Sequence, residues 1–260
     1  MEKMSRVAVK ILGISATPVK GGNCDILVKE ALQAANEVGK VIGDEVQIEF
    51  VTLADKKITM CRHCQWCIEH RQPCKIKDDA IWIWEKVIES DGLILGAPTW
   101  SFNVCPLVTI LASRMRYWGF FTRQLHNKVV GCITLGFFGW GLEQALDQME
   151  NMTKPVMLPV ARGWAITSTA AFGQRPEYLE HGVLDDKAGI HRARLVGIRV
   201  VEVARMIKYA TTAGITLPNE YALTVTGGRW DDTREKEWVR GVWRDKDKPF
   251  RKSTSEVGDK

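Results

Sequence analysis

The chain has 260 residues, of which 45% are hydrophobic and 26% are charged, and its formal net charge is +5. This length supports a hydrophobic core that needs no disulfide staples. Basic and acidic residues are interleaved without a long Lys/Arg block, which argues against a nucleic-acid-binding protein. No apolar run is long enough to span a bilayer and the N-terminus lacks a signal sequence, so we predict a cytoplasmic protein without a membrane span.

Short apolar strands and helices alternate from the N-terminus. Residues 7–14 (VAVKILGI) predict a strand, and the polar loop 15–23 leads into a helix over 24–39. A second strand is predicted over 45–52, where apolar residues alternate. The cysteine-rich segment CRHCQWCIEHRQPC follows it at residues 61–74.

The same alternation continues after the cysteine segment. A helix is predicted over 77–90, with Asp78 and Asp79 as its N-terminal caps. The apolar run GLILGA at 92–97 predicts a strand buried on both faces, and a further helix is predicted over 105–119.

Two more strands complete the pattern. KVVGCITL at 128–135 predicts a strand, which leads through the loop GFFGWG at 136–141 into the helix LEQALDQMENM. A fifth strand is predicted within 156–168 and a long helix over about 187–210. Five short strands that alternate with helices predict a doubly wound parallel α/β sheet.

The C-terminal part of the chain departs from this pattern, because it is rich in charge and poor in branched aliphatic residues. We therefore divide the chain into a domain at 1–210 and a charged C-terminal extension at 211–260. We predict that Trp230, Trp238 and Trp243 partly order the extension, and that the final KSTSEVGDK frays.

The loop GISATPVKGGNC, between the first strand and the first helix, has the composition of an anion site. It offers the hydroxyls of Ser15 and Thr17, the flexible backbone at Gly22, Asn23 at the helix start and one nearby cation, Lys20. It matches neither the P-loop nor the G-x-G-x-x-G fingerprint, and it suits a monophosphate ester. The alternative is an ordinary Ser/Thr/Gly connection.

Two further loops combine aromatic residues with polar or flexible neighbours. In GAPTWSFN, Trp100 and Phe102 alternate with hydrogen-bonding side chains, which suits an aromatic heterocycle. In GFFGWG, the glycines let the backbone approach a ligand, and Phe138 and Trp140 could cover a ring. The alternative is that these aromatics belong to the core. Together the three loops predict a pocket for a phosphate and a planar ring, which fits flavin mononucleotide (FMN).

Four cysteines lie within the fourteen-residue cysteine segment, namely Cys61, Cys64, Cys67 and Cys74. Disulfides are disfavoured because the compartment is reducing and adjacent C-x-x-C bridges would be strained. Zinc is the serious alternative, but its sites usually pair two C-x-x-C units across a longer spacer. The compact C-x2-C-x2-C triplet followed by one more cysteine favours a [4Fe–4S] cluster. His63 and His70 are predicted to be surface residues.

These motifs together resemble the iron–sulfur flavoproteins of archaea and anaerobic bacteria, which are relatives of the NADPH-dependent FMN reductases. The resemblance covers residues 7–210 and also includes GAPTWSFNV, GFFGWGLEQAL and DDKAGIHRARLVGIRVVEVAR. It implies a flavodoxin-like, five-stranded doubly wound parallel sheet with helices on both faces. Two departures are visible, since Cys24 stands where the family usually has Thr or Ser, and Ser113 replaces the Asp of an Asp-Arg pair, leaving Arg114.

The resemblance also implies two cofactors, FMN and a [4Fe–4S] cluster. The cluster would be held by Cys61, Cys64, Cys67 and Cys74. The FMN phosphate would be bound by Ser15, Thr17, Asn23 and Cys24. The isoalloxazine ring would be held by Pro98, Thr99, Trp100, Ser101, Phe102, Asn103, Gly136, Phe138, Gly139, Trp140 and Gly141.

The function implied is that of an electron-transfer oxidoreductase that couples a one-electron donor such as ferredoxin to flavin reduction, assembled as a homodimer or homotetramer. One alternative is an NAD(P)H-dependent FMN or quinone reductase with a structural metal site. Another is a zinc-stabilised binding or assembly subunit without redox activity. No carboxylate dyad or Ser/His/Asp arrangement points to acid–base catalysis.

Overall fold

The computed structural model describes residues 7–122, 124–167, 181–215, 236–239 and 242–245. The strands in these ranges are β1 (Ala8–Ser15), β2 (Glu45–Thr52), β3 (Gly92–Trp100), β4 (Asn103–Val104), β5 (Val129–Gly136), β6 (Leu158–Ile166), β7 (Lys236–Val239) and β8 (Val242–Asp245). The α-helices are α1 (Asn23–Ile42), α2 (Trp66–His70), α3 (Ala80–Glu89), α4 (Pro106–Ala112), α5 (Leu142–Thr153) and α6 (Lys187–Thr212). A π-helical turn lies at Tyr117–Phe121 and a 3-10 turn at Gly182–Asp185.

The central sheet has the strand order β2-β1-β3-β5-β6, and every neighbouring pair in this order is parallel. The short strand β4 pairs antiparallel with the end of β3. This order is that of flavodoxin-like folds, in which a ligand binds where the strand order reverses. The prediction of a five-stranded, doubly wound parallel sheet is confirmed.

Both faces of the sheet are covered, which explains why its strands are apolar throughout. All eight residues of β5 are buried. On one face the core includes Leu27 of α1 and Val200 of α6, and on the other it includes Ile83 of α3 and Leu146 of α5. Strands in such a position cannot show an alternating pattern, because neither face meets water.

Helix α1 packs directly on helix α6. At Gly197 a side chain would place its Cβ only 1.9 Å from the carbonyl oxygen of Ala31, so only glycine fits at this contact. On the outer side of the pair, Arg194 forms ion pairs with Glu30 and Glu37. The long C-terminal helix thereby fixes the helix that begins at the first loop.

Helix α4 is shorter than predicted. The predicted helix over 105–119 is interrupted after Ala112, because residues 113–115 are not helical and helical structure resumes at residues 116–121 with the π-helical turn. The hydroxyl of Ser113 donates to the carbonyl of Ile110, and the Arg114 side chain is buried against Asp78. The helix ends here because these two residues turn to contact the cysteine segment.

Within the C-terminal extension, helix α6 continues to Thr212, and β7 and β8 form an antiparallel pair whose register places Trp238 opposite Trp243. Trp230 and the final KSTSEVGDK lie outside the described residues, so the expectations for them stay predictions. Within the described ranges, no helix combines the length and apolarity needed to cross a membrane.

Candidate functional site

The three loops singled out in the sequence follow neighbouring strands and lie at one edge of the sheet. Ser15, the last residue of β1, is in register with Gly96 of β3. Pro98 of β3 is in register with Leu135 of β5. The loops after β1, β3 and β5 therefore lie side by side at the carboxyl ends of the strands, where open parallel sheets bind ligands.

The loop after β1 contains polar groups that are buried but sparsely bonded. The Ser15 hydroxyl is buried and, among the described residues, makes no hydrogen bond of ordinary geometry. The Thr17 hydroxyl accepts a 3.2 Å bond from the N–H of Val19. The N–H of Gly21, where φ is 74°, donates to the carboxylate of Asp25 over 2.7 Å. Hydroxyls and loop amides ahead of a helix N-terminus are the donors that phosphate groups bind.

The other predicted residues of this loop have different surroundings. Gly22 is the N-cap of α1, and the Asn23 side chain accepts a 2.9 Å bond from the N–H of Val183. Lys20 is mostly exposed and pairs with Asp55 over 3.0 Å.

Cys24 follows at the start of α1, where its thiol lies in the core. Burial raises the pKa of this thiol to about 12, and the neighbouring Ser15 offsets only part of that rise. The Cys24 thiol is therefore uncharged at neutral pH.

The loop after β3 is a tight hairpin with an uncommon tip. Trp100 pairs with Asn103, which leaves Ser101 and Phe102 as a two-residue turn. Both tip residues have positive φ, 46° for Ser101 and 65° for Phe102. Such turns favour Asn-Gly, because side chains other than Asn or Asp are strained in this conformation. This backbone conformation places an exposed aromatic ring, that of Phe102, at the tip of the hairpin.

The loop after β5 packs on this hairpin through glycine. At Gly141, where φ is 73°, a Cβ would lie 2.5 Å from the Cα of Phe102. The rings of Phe102 and Trp140 stack with centroids 6.0 Å apart, and Phe138 lies 5.5 Å from Trp140. Trp100, Phe102, Phe138 and Trp140 are 48%, 57%, 49% and 63% exposed. These four rings form an open cluster, so the alternative that they are buried in the core is wrong.

Gln148 of α5 fixes the hairpin, a role that the sequence analysis did not predict. Its side-chain oxygen accepts a 2.8 Å bond from the N–H of Val104, and its nitrogen donates to Asn103 over 2.8 Å. Asn103 in turn donates to the carbonyl of Ser101 over 2.9 Å. A glutamine in an amphipathic helix carries no distinguishing pattern, so only the structure identifies it.

The cysteine segment runs from the end of β2 to the start of α3, at the same edge of the sheet. Cys64 is exposed, whereas Cys61, Cys67 and Cys74 are partly buried. The backbone curls through positive φ at His63, Gln65 and Arg71, with values of 53°, 59° and 50°. The N–H of His63 donates to the sulfur of Cys61 over 3.3 Å. The segment therefore wraps around its own thiols.

The other three thiols lie close enough to Cys67 to affect its pKa. Burial raises the pKa of Cys67, Arg116 opposes the rise, and the thiols of Cys74, Cys61 and Cys64 add to it. Across the part of the chain that the structure describes, no three His, Cys, Asp or Glu side chains form a group that could hold a metal ion. The donor set itself, four thiols in one short and partly exposed segment, has the chemistry of an iron–sulfur site.

The two histidines lie at the surface as predicted, whereas of the two predicted helix caps only Asp78 bonds to the helix. His63 and His70 are exposed, and the His70 ring stacks on Trp66 with centroids 4.6 Å apart. Asp79 is the N-cap residue of α3, but its carboxylate accepts from the N–H of Lys57 and not from the helix. Asp78 supplies the helix bond instead, accepting from the N–H of Ala80 over 3.1 Å.

Sequence comparison assigns the family. Residues 9–171 match the NADPH-dependent FMN reductase family. An iron–sulfur flavoprotein of Methanocaldococcus jannaschii is 32% identical over 77% of this chain and 100% of its own length. An iron–sulfur flavoprotein of Archaeoglobus fulgidus is 28% identical over 77% of this chain and 98% of its own.

Comparison with solved structures agrees on the fold. A structure of RosB with a bound 8-demethyl-8-formylriboflavin-5'-phosphate aligns with a TM-score of 0.58 at 14% identity, over 97% of this chain and 98% of that one. A flavone reductase aligns with a TM-score of 0.56 at 20% identity, over 78% of this chain and 65% of that one.

Fold, loop placement and family matches define a flavin oxidoreductase of flavodoxin-like fold. Within that class, the chain belongs to the iron–sulfur flavoproteins of the NADPH-dependent FMN reductase family.

Proposed function

We propose that this protein transfers electrons between a [4Fe–4S] cluster held by Cys61, Cys64, Cys67 and Cys74 and an FMN bound at the three loops. A one-electron carrier such as ferredoxin would be its partner. The observation that carries the proposal is that the four-thiol segment and all three loops lie at one edge of the sheet, in a chain of this family.

The loop after β1 supports a phosphate at its end of the site. The Ser15 hydroxyl is buried beside the Cys24 thiol, a weak hydrogen-bonding group, and makes no hydrogen bond of ordinary geometry among the described residues, so an anion at the loop would satisfy it. The start of α1 adds backbone N–H groups and the positive end of the helix dipole. We propose that Thr17, Gly22 and Asn23 contact the same phosphate, and that Lys20 leaves Asp55 to reach it.

The aromatic hairpin supports a planar ring at the other end. Phe102 and Trp140 present half-exposed faces that a flavin would cover, which removes apolar surface from water. We propose that the backbone at Gly136, Gly139 and Gly141 approaches the ring, with Thr99 and Asn103 at its rim. We also propose that a second copy of the chain covers part of these rings, in a homodimer or homotetramer.

A cluster passes one electron at a time whereas FMN accepts one or two, so the pair can link a one-electron donor to a two-electron reduction. The chain itself holds and shields these groups. The cysteine wrap supplies four thiolates, the hairpin orients a ring, and the first loop anchors a phosphate.

Three analyses of protein purified without oxygen test this proposal. Iron, acid-labile sulfide and flavin assays, with an absorption spectrum, are expected to show both cofactors. Reduced ferredoxin is then expected to bleach the flavin. Protein that contains zinc and flavin but no iron would overturn the proposed cluster.

A second candidate follows from the matched family, whose members are NADPH-dependent FMN reductases. In that case NAD(P)H reduces the flavin directly, and the metal at the cysteines is structural. Rapid anaerobic mixing separates the candidates, because bleaching of the flavin by NADPH at a rate that Cys67→Ser leaves unchanged supports the second one.

A further inference from the structure

Arg114, just beyond the end of α4, is buried between the two ends of the cysteine segment. Its side chain is 0% exposed, and that of its partner Asp78 is 4% exposed. One terminal nitrogen, Nη1, donates to the carbonyl of Thr59 over 2.6 Å and to Asp78 over 2.7 Å. The other, Nη2, donates to the carbonyl of Ile76 over 3.3 Å and to Asp78 over 3.1 Å.

These bonds join the residues that flank the four cysteines. Thr59 lies two positions before Cys61, and Ile76 lies two positions after Cys74. Asp78 also accepts from the N–H of Thr59 over 2.8 Å, which closes the ring of contacts. A further bond, 3.1 Å from the N–H of Cys61 to the Ser113 hydroxyl, fixes the first cysteine to the same turn.

One donor of Arg114 is left over. A guanidinium has five N–H groups, and the four on the terminal nitrogens match the four acceptors above. The fifth, on Nε, is buried and has no hydrogen-bond partner among the described residues. The sulfur of Cys74 is close enough to interact with the guanidinium both as a charge and as an acceptor. A buried donor without a partner is unfavourable, and the Cys74 sulfur is the nearby group that can accept from it.

We propose that Arg114 is a positioning residue of the cluster: it clamps both ends of the cysteine segment and directs its Nε–H and its positive charge at the Cys74 sulfur. This inference rests on the proposed cluster. A thiolate bound to iron remains anionic and accepts hydrogen bonds, and such bonds raise the potential of a cluster by favouring its more negative, reduced state.

Arginine suits this role better than lysine. Its planar fork reaches two carbonyls and a carboxylate at once, and its Nε donor points in a direction of its own. Lysine has three donors on a single nitrogen and could not serve both ends of the segment and the sulfur.

The test compares two variants that differ only at Arg114. Asp78→Asn keeps the guanidinium near Cys74, whereas the double variant Asp78→Asn/Arg114→Gln removes it without leaving a buried, unpaired carboxylate. The control is Arg199→Gln/Glu202→Gln, which removes an exposed ion pair on α6. Each is purified without oxygen, and the cluster potential is measured by EPR-monitored redox titration.

The double variant is expected to have a reduction equilibrium constant at least tenfold smaller than Asp78→Asn, a shift of about 59 mV for one electron. The surface control should match the wild type. Equal potentials in Asp78→Asn and the double variant would overturn the role of Arg114 toward the sulfur.

Hydrogen exchange of the iron-free protein tests the clamp separately. Amides of residues 59–78 are expected to exchange at least tenfold faster in the double variant than in the wild type, with those of the central sheet unchanged. Unchanged exchange at 59–78 would overturn the clamp. This measurement needs no cluster. If the wild-type protein bound no iron, the proposed function would be contradicted, but hydrogen exchange would still test the clamp.

Discussion

Two residues at the tip of the β3–β4 hairpin are held in a conformation that costs energy. Ser101 and Phe102 both have positive φ, and each non-glycine residue in this region costs on the order of 1–3 kcal/mol. Such strain persists only where the surroundings impose it, and here Gln148 and Asn103 do so. The imposed conformation places the Phe102 ring at the candidate flavin site.

Replacing Phe102 tests this strain. Phe102→Gly and Phe102→Ala both remove the ring, but only glycine adopts positive φ without cost. We expect the glycine variant to be more stable than the alanine variant by about 1 kcal/mol in urea unfolding. Both should bind FMN more weakly than the wild type does. If the alanine variant were as stable as the glycine variant, the tip would not be strained.

Two glycines of the loop after β5 separate backbone strain from loop contact. Gly139 and Gly141 have φ of 78° and 73°, but only at Gly141 would a Cβ meet the Phe102 backbone, at 2.5 Å. We expect Gly141→Ala to weaken FMN binding at least tenfold, because it displaces the hairpin. Gly139→Ala is the matched variant for positive φ, since its Cβ would meet only side chains, Leu142 at 3.6 Å and Ile166 at 4.0 Å. Fluorescence titration of flavin-free protein measures both, and equal affinities would contradict the proposed contact.

At the scale of elements, the cysteine segment depends on its neighbours for its shape. Its only helix among the described residues, α2, has five residues and no side-chain cap. Its ends are held by Arg114, Ser113 and Asp78, which belong to the turn after α4 and the start of α3. Metal binding here is therefore separable from folding of the sheet.

Cys67→Ser tests that separation. We expect it to lose iron and sulfide while it retains FMN, because the three loops do not depend on the cysteine segment. His70→Gln, an exposed substitution in the same segment, should retain both. Metal analysis and flavin absorbance report the result. Loss of FMN together with iron in Cys67→Ser would mean that the segment is mainly a folding element.

The strands, most helices and the candidate loops were predictable because they follow from periodicity and from the order of parallel strands. The predicted strand over 45–52 agrees with β2, Glu45–Thr52, at both ends. The early end of α4 was not predictable, since residues 113–119 remain apolar enough for a helix and the cause is a contact of Arg114 distant in sequence. For the same reason Gln148 was missed. The roles of Arg114 and Gln148 depend on which element packs against each residue. The local sequence pattern does not contain that information.

On the scale of the whole molecule, the two ends of the parallel strands differ. The candidate site lies at their carboxyl ends, whereas the amino end of β5 is held by structural contacts. At the amino end of β5, opposite the candidate site, Lys128 is partly buried and donates to the carbonyls of Ile88 and Ser90. Burial lowers the pKa of Lys128 to about 8, Asp91 partly opposes this, and Lys208 adds to it. Because the Lys128 cation is partly buried, the free energy of unfolding depends on pH.

The sign follows from proton binding. Between the folded pKa of about 8 and the ordinary value of 10.5, the unfolded chain holds the Lys128 proton more tightly, so stability rises with pH. Above the ordinary thiol value of 9.0 the rise is opposed, because burial raises the pKa of Cys24 and Cys132 to about 12.

We therefore expect a contribution of about 1 kcal/mol from Lys128 between pH 8 and 9. Urea unfolding of the wild type and of Lys128→Met should show this rise only in the wild type. Lys154→Met, at an exposed position, is the control and should follow the wild type. An equal pH dependence in Lys128→Met would show that Lys128 is not the source.

The most direct test of the whole account is cofactor stoichiometry. For protein purified without oxygen, the account predicts one FMN and about four iron and four sulfide per chain, with a cluster EPR signal after reduction. Stoichiometric zinc in place of iron would contradict the account, and so would absence of flavin.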